Sequence, residues 1–557
     1  MGLGKTLSIL ALICSYLDVT ETQMSVNEEI LPRQCWTTLV ITPKSTIHSW
    51  QQQCESHIHQ GKLKTVVYLS SGRKRLHSEL QSSDIIFTTY ETMRRDWVEK
   101  GPLFANSWYR VVLDEAHHIR TRDSQIFKAA CEIQALYRWC LTGTPIHNSL
   151  DDFAALLSFV RVPLFMDKKM FDFWITTPVQ QKVSYGLQRL SLLIKNTCLR
   201  RTKKLTDLSY QLPDRREQTV WVELSQGDRD LYTFFEREAA KIASGFYRHN
   251  VATSTPDGLK NNILKLINFL RLICDHGEKL LPQSAIDTWL AAGDKAIDWQ
   301  KIQESQELCE VCGLKIDGFQ DQSVSSLDGS FPQVICRSCL ATTEENEPSS
   351  HSINFCHSIP TTDGITGEVY TTTGVPTYQQ SSKVKALIDN LHQEQSCSDQ
   401  YSPSQPIKSV VFSSWKKMID LTQQCLEASG FVCARIDGQL SLENRTKAMK
   451  QFNSDPRCTV MLATTGSAGE GVDFTVANNV HLLEPHWNPM IEAQTLDRVH
   501  RIGQSREVLI TRYMTKDTIE TYVQWIQREK LKLIQQSLGS KELSQAGVED
   551  ERWKVRN

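Results

Sequence analysis

Gly4-Lys5-Thr6 and Asp114-Glu115 constrain the fold of this chain more than any other residues in it. Backbone N–H groups of a glycine turn converge on phosphate oxygens, a following lysine neutralises the β- and γ-phosphates, and a threonine hydroxyl reaches Mg²⁺. The apolar run from Leu7 to Leu17 carries Leu7, Leu10, Ala11 and Cys14 on one face. It predicts a helix whose N-terminus points at the anion. Taken alone, Met1-Gly-Leu-Gly-Lys-Thr6 also reads as a glycine turn beside a solvated lysine. Arg110-Val-Val-Leu-Asp-Glu-Ala-His117 is an apolar strand ending in two adjacent carboxylates. In nucleotide hydrolysis Asp114 would hold Mg²⁺ through water and Glu115 would orient and deprotonate the attacking water. The bland alternative is a buried strand followed by a helix N-cap.

With 557 residues, 40% hydrophobic and 23% charged, the chain has material for roughly three to four domains. A net charge of −2 neither requires nor excludes nucleic acid, which needs only a local basic strip. Sixteen scattered cysteines suit a reducing compartment and one metal site. No apolar stretch reaches the roughly 18 residues of a membrane span, so no membrane partner is expected.

Buried-strand patterns occur at 36–42, 64–69, 84–88, 110–113 and 138–141, with helical stretches between them. Alternation of this kind predicts a parallel sheet with ligands at the strand carboxyl ends. A helix at 150–159, a strand at 219–223 and long helices at 227–243 and 258–274 follow. A second α/β series begins near Ser381 with a helix at 383–391, a polar linker at 393–405 and strands at 409–412, 432–436, 459–463 and 479–483. Helices are expected at 442–452, 489–500 and 518–536. Leu141-Thr-Gly-Thr-Pro145 is a small-residue turn after a strand. Gln494, Arg498 and Arg501 stand at spacings of four and three, one face of a helix. Two arginines so placed suit a clamp on a γ-phosphate; exposed pairing with Asp497 or Glu492 is the commoner fate. Cys309-Glu-Val-Cys312 and Cys336-Arg-Ser-Cys339 are separated by 23 residues, a spacing that suits tetrahedral zinc, with buried free thiols as the alternative.

Gly2-Leu-Gly-Lys-Thr6, Leu39-Val-Ile-Thr-Pro-Lys44, Asp114-Glu-Ala-His117, Leu141-Thr-Gly-Thr-Pro145, Arg435-Ile-Asp-Gly438, Glu484-Pro-His-Trp-Asn-Pro489 and Gln494…Asp497-Arg-Val-His-Arg-Ile-Gly-Gln504 occur in one order. In that order they resemble the SWI/SNF-type ATPases of helicase superfamily 2 across nearly the whole chain. The resemblance implies an α/β fold of two RecA-like parallel-sheet lobes with helical insertions and a small zinc-binding insert. It places lobe one at 1–215, a helical insertion at 216–300, the insert at 301–358, a flexible linker at 359–380, lobe two at 381–545 and a tail at 546–557.

The same resemblance implies an ATP-dependent translocase on double-stranded DNA, acting in chromatin remodelling or DNA repair in the nucleus, with nucleosomes as a further substrate. Carried over by position, Gly2, Gly4, Lys5 and Thr6 bind phosphates, and Thr6 and Asp114 serve Mg²⁺. Glu115 is the base, while Gly471, Asp473, Gln494, Arg498 and Arg501 complete the ATP site from lobe two. His117, Thr142, Gly143 and Thr144 couple ATP state to DNA grip. DNA contacts fall on Lys44, Thr88, Thr89, Tyr90, Ser413, Ser414, Trp415, Thr464 and Thr465. Glu470 stands where the family has a small apolar residue.

One subgroup, resembling postreplication-repair translocases, embeds a RING finger between its lobes. Cys309, Cys312, Cys336 and Cys339 look like its first, second, fifth and sixth ligands. Phe331-Pro-Gln-Val-Ile335 supplies no third or fourth ligand, which implies a degenerate RING with one Zn²⁺. Ligase activity with a ubiquitin-conjugating enzyme would rest on a second zinc site that these residues do not complete. The family also has a strand and a glutamine motif ahead of the phosphate loop. Their lack here implies an interior gap in the first sheet, and the alternative of a catalytically impaired DNA-binding or ligase-like scaffold.

Overall fold

The structure, a computed structural model, describes residues 4–24, 36–69, 83–146, 149–181, 183–201, 212–249, 257–291, 323–325, 333–335, 380–401, 406–438, 440–468, 472–501 and 503–537. The first helix, α1 (Lys5–Met24), is followed by β1 (Thr38–Ile41), α2 (Lys44–His57), β2 (Thr65–Val67), β3 (Ile85–Thr88) and α3 (Tyr90–Glu99). Then come β4 (Trp108–Asp114), α4 (Gln125–Glu132), β5 (Ala135–Leu141), α5 (Leu150–Val160) and α6 (Ser184–Thr197). The five strands form a parallel sheet in the order β2-β3-β1-β4-β5.

Strict alternation along each strand builds a core on both faces. Leu39 and Ile41 face α3, α4 and α5 through Met93, Phe127, Ala130 and Phe159. Val40 faces α1 and α2 through Ile9, Leu10, Ile13 and Trp50. Because the strands are parallel, their carboxyl ends lie along one edge of the sheet. That edge carries Thr42, Thr88, Asp114 and Thr142, the last residues of their strands or the first beyond them. The expected interior gap is absent among the described strands. The two edge strands are β2 and β5, and the latter leaves Leu136, Tyr137 and Trp139 at 69%, 45% and 40% exposure.

Strand β6 (Arg215–Val222) precedes three helices, α7 (Gln226–His249), α8 (Asp257–His276) and α9 (Gln283–Ala291), and a hairpin of β7 (Ser323–Ser325) and β8 (Gln333–Ile335). The second series comprises α10 (Ser382–Tyr401), β9 (Ser409–Ser413), α11 (Lys416–Ala428), β10 (Val432–Ile436), α12 (Leu442–Ser454), β11 (Cys458–Thr464), β12 (Asn479–Leu482), α13 (Pro489–Leu496), β13 (Val508–Thr515) and α14 (Ile519–Ser537). Its sheet runs β10-β11-β9-β12-β13-β6, every pair parallel.

Three sequence expectations are corrected here. The strand at the head of the helical insertion is the edge of the second sheet, Arg215 to Val222 pairing residue for residue with Val508 to Thr515. The polar stretch from Gln393 to Tyr401 continues helix α10 instead of forming a linker. Its polar groups have partners on the sheet: Ser409 Oγ donates to Glu394 at 2.9 Å and Gln395 donates to Thr459 Oγ1 at 2.9 Å. Strand β13 was not expected at all, because Thr511, Arg512 and Thr515 break its apolar run. In the fold Thr511 accepts from Gln218 at 2.9 Å, and Arg512 is held between Glu217 and Glu492. The four cysteines of the zinc expectation, and the 359–379 part of the expected linker, lie outside the described residues.

Helix α8 fastens the helical insertion to the second sheet. Leu266, Phe269, Leu270 and Ile273 pack on Leu231 and Phe235 of α7. From α8, Asp275 meets Lys383 of α10, and Lys383 also meets Glu520 of α14. Arg271 lies over the rings of Trp415 and Trp487 and donates to Pro485 O at 3.1 Å.

Candidate nucleotide site

Gly4 adopts φ +71°, a left-handed conformation that glycine takes without strain. Its carbonyl accepts the Ser8 N–H at 2.9 Å and the Ser8 hydroxyl at 2.8 Å. α1 therefore starts at Lys5 with its first-turn N–H groups directed off the helix end, an arrangement suited to an anion. Arg201 donates to the same Ser8 hydroxyl at 2.9 Å, tying the chain beyond α6 to the first turn. Lys5 and Thr6 are half-buried. Gly2 lies outside the described residues.

Asp114 closes β4 and is gripped from three sides. Its Oδ2 accepts from Trp50 Nε1 at 2.8 Å and from Thr42 Oγ1 at 3.1 Å, and its Oδ1 accepts from the Glu115 N–H at 3.0 Å. Burial pushes its pKa up and the Glu115 charge adds to this, while Trp50, Lys5 and Thr42 oppose it. Glu115 takes a left-handed backbone, φ 46° and ψ 53°, which for a non-glycine residue costs roughly 1–3 kcal/mol. That turn swings its carboxylate back beside Lys5. Burial would raise its pKa, but the facing His117 imidazole and the charges of Lys5 and Arg498 pull it down to about 2. Glu115 is thus an ionised, buried carboxylate, and its Oε2 lies 3.4 Å from His117 Nδ1.

Two carboxylates at one buried strand end, with a threonine hydroxyl on the facing helix turn, supply hard oxygen donors. That donor set fits Mg²⁺, with Asp114 and Thr6 as the residues that would hold it. The ion would neutralise phosphate charge when bound.

The second sheet contributes from α13 and the turn after it. Gln494 is buried on α13. The helix ends at Leu496, so the expectation of one continuous helical face through Arg498 and Arg501 fails. Asp497 caps it, and the Arg498 and Val499 N–H groups donate to Thr495 and Leu496 carbonyls, forming a turn. This turn still carries the Arg498 charge to within reach of Glu115. Arg501 lies 3.7 Å from exposed Asp473, whose Oδ1 also accepts the Thr475 N–H at 3.0 Å. Asp473 thus pairs with Arg501, one of the two arginines expected at the γ-phosphate. Glu470 and Gly471 lie outside the described residues.

Thr142, Gly143 and Thr144 form a tight turn in which the Thr144 N–H donates to Thr142 Oγ1 at 3.0 Å. Of the residues assigned to DNA, Lys44 is exposed, and Ser414, Trp415 and Thr464 are half-buried. The others turn inward. Thr88 Oγ1 donates to Tyr68 O at 2.8 Å, Thr89 caps α3 through the Thr92 N–H, and Tyr90 Oη donates to Asp114 O at 2.7 Å. Ser413 Oγ donates to Glu484 at 3.1 Å, and Thr465 Oγ1 donates to Ser414 Oγ at 3.4 Å. Sequence reasoning missed Thr42 and Trp50 as partners of Asp114, and His118 beside His117. Trp50 had a readable signal, since an indole N–H on the buried face of α2 needs an acceptor.

Two parallel α/β sheets that direct a phosphate-loop helix and an arginine turn at one buried Asp-Glu pair define a helicase-like ATPase core. Residues 1–279 match the SNF2-related domain and residues 382–503 the helicase conserved C-terminal domain, so the chain belongs to the SNF2-related family. DNA repair protein RAD5B of Arabidopsis thaliana is 30% identical over 99% of this chain and 46% of its own length. The human helicase-like transcription factor is 32% identical over 92% of this chain and 52% of its own. The chain spans about half the length of these relatives. A Sulfolobus solfataricus SWI2/SNF2 ATPase core solved with double-stranded DNA covers 96% of this chain and 86% of its own, at 21% identity and a TM-score of 0.35.

Proposed function

We propose that this chain is the core of a nuclear motor that hydrolyses ATP to move along double-stranded DNA, in the service of DNA repair or transcription. The observation that carries the reading is that the Arg498 charge, beyond α13, is felt at Glu115, just past the end of β4. A base on one lobe and a cation on the other make hydrolysis depend on how the lobes sit together, which is what a motor requires. The relatives named for DNA repair and for transcription support the setting.

In this reading Lys5 and the first-turn N–H groups of α1 receive the phosphates. Glu115, held ionised, orients the attacking water and takes its proton. Arg498 and Arg501 meet charge that develops on the transferred phosphoryl group. Exposed Lys44 and the half-buried Ser414 and Thr464 offer an ammonium and two hydroxyls to a DNA backbone, contacts that read no sequence.

The test is ATP turnover of the full chain with and without duplex DNA. Wild type is expected to be stimulated by DNA of any sequence. Glu115→Gln should lose turnover while retaining nucleotide, and Arg501→Ala should lower kcat by about 10³-fold with little change in nucleotide affinity. Undiminished turnover in Glu115→Gln removes it as the base.

A further inference from the structure

A column of three aromatic rings joins the carboxyl end of β3 to the candidate base. Tyr90 is the first residue of α3, directly after Thr88 and Thr89, and is 5% exposed. Its ring stacks on His118 with centroids 4.8 Å apart and planes 27° apart. His118 stacks in turn on His117, at 4.9 Å and 22°. His117 Nδ1 lies 3.4 Å from Glu115 Oε2. A second thread runs alongside, because Tyr90 Oη donates to the Asp114 carbonyl at 2.7 Å. Both histidines sit on the single helical turn Ala116–Ile119, which starts at the left-handed Glu115. The rings therefore run in succession from Tyr90, at the start of α3, to the Asp-Glu turn.

We propose that His118 is a positioning residue that passes the placement of the Thr88–Tyr90 segment on to Glu115. The proposal rests on the DNA-motor reading and deepens it, by giving DNA held near the β3 carboxyl end a physical route to the hydrolytic carboxylate. Tyr90 is fixed in the interior by its hydroxyl, so a shift of its segment cannot be absorbed by the side chain swinging into solvent. It moves the stacked His118, then His117, then the carboxylate that His117 faces. Placement of a reacting group to within about 1 Å is worth about 100-fold in rate, so a small shift suffices.

The experiment compares His118→Leu, which removes the ring, with His118→Phe, which keeps a flat ring between Tyr90 and His117. ATP turnover is measured without DNA and with saturating duplex, together with duplex affinity by fluorescence anisotropy. His118→Leu is expected to keep basal turnover and duplex affinity and to lose about ten-fold in DNA-stimulated turnover. His118→Phe should restore stimulation to within about two-fold of wild type. Should His118→Leu fail to fold, His118→Gln takes its place with the same expectation. Full stimulation in the ringless variant overturns the column, as does an equal fall in basal and stimulated turnover, or no rescue by phenylalanine. A wild-type chain that ignores DNA refutes the motor reading itself, and the column's role with it.

Discussion

Replacing Lys383 by methionine isolates the energetics that hold the second lobe to the helical insertion. The ammonium is completely buried, 2.8 Å from Asp275 Oδ1 and 2.5 Å from Glu520 Oε1, and both carboxylates are equally enclosed. Burial opposes its charge, but the two carboxylates outweigh burial and hold its pKa above the usual lysine value. Lys383→Met keeps the side-chain length and leaves two buried carboxylates without a cation. Stripping one partner from a buried ionic network costs about 3–5 kcal/mol. At about 2–4 °C per kcal/mol for a domain of this size, the second-lobe transition should fall by about 6–20 °C.

The sign with pH is fixed by the same charges. The Glu520 carboxyl, whose pKa burial already raises, is pushed further above its unfolded value once the lysine is gone. The folded chain then binds protons that the unfolded chain has released, so the loss is greatest near neutrality and shrinks as pH falls through about 4. Adding Asp275→Asn and Glu520→Gln removes the stranded charges, keeps an acceptor for the Thr515 N–H, and should recover most of the stability. Calorimetry or denaturant unfolding, with intrinsic fluorescence for the second lobe, reads the outcome. A change under about 1 kcal/mol in Lys383→Met would refute the reasoning.

Two further substitutions test other buried groups. Glu484 is pushed up to about 8, first by burial and then by the Asp275 charge, with the Ser414 N–H opposing. An unfolded glutamate ionises near 4.5, so between about 4.5 and about 8 the folded chain holds a proton that the unfolded chain lacks. Stability should fall as pH rises through that window, and Glu484→Gln, which keeps an acceptor for Ser414, should flatten the slope in denaturant melts. An unchanged slope places the titration elsewhere. Trp50→Phe preserves the ring contact with Phe87 but deletes the 2.8 Å donor to Asp114. Its half-maximal Mg²⁺ concentration for turnover should rise about ten-fold with metal-free nucleotide affinity unchanged, and an unaltered Mg²⁺ dependence counts against the indole as a support for the metal carboxylate.

The strands that proved legible in the sequence are short runs dominated by apolar residues. Val432–Ile436 matches residue for residue, and the runs leading to Ile41, Asp114 and Thr464 differ only at their ends. The last three are buried on both faces, so hydrophobicity marks them, whereas β10 is an edge strand with Val432 left exposed. β13 and the far half of α10 escaped because their polar residues are satisfied by partners distant in sequence, which no local pattern reveals. The site divided in the same way. Lys5, Asp114 and Glu115 follow from local spacing, since one loop and one strand end carry them. The Arg498 geometry came from a turn where helical spacing had been assumed, because Asp497 ends α13. Thr88 and Ser413 looked like surface hydroxyls, yet both are fully buried, their oxygens committed to Tyr68 and Glu484.

The position of β6 has a consequence for how the polypeptide is made. The edge strand of the second sheet emerges at Arg215, long before its only ladder partner among the described strands, β13, which begins at Val508. During synthesis this strand must wait, unpaired, while the three-helix insertion, the hairpin and four further sheet strands appear. Helices α7 to α9 can collapse early on local contacts, but the second sheet closes only when its last strand arrives. The sheet is thereby a clasp, shut by the two ends of one long excursion of chain. Whatever lies between β6 and β9 can vary in length so long as both ends return to the same sheet.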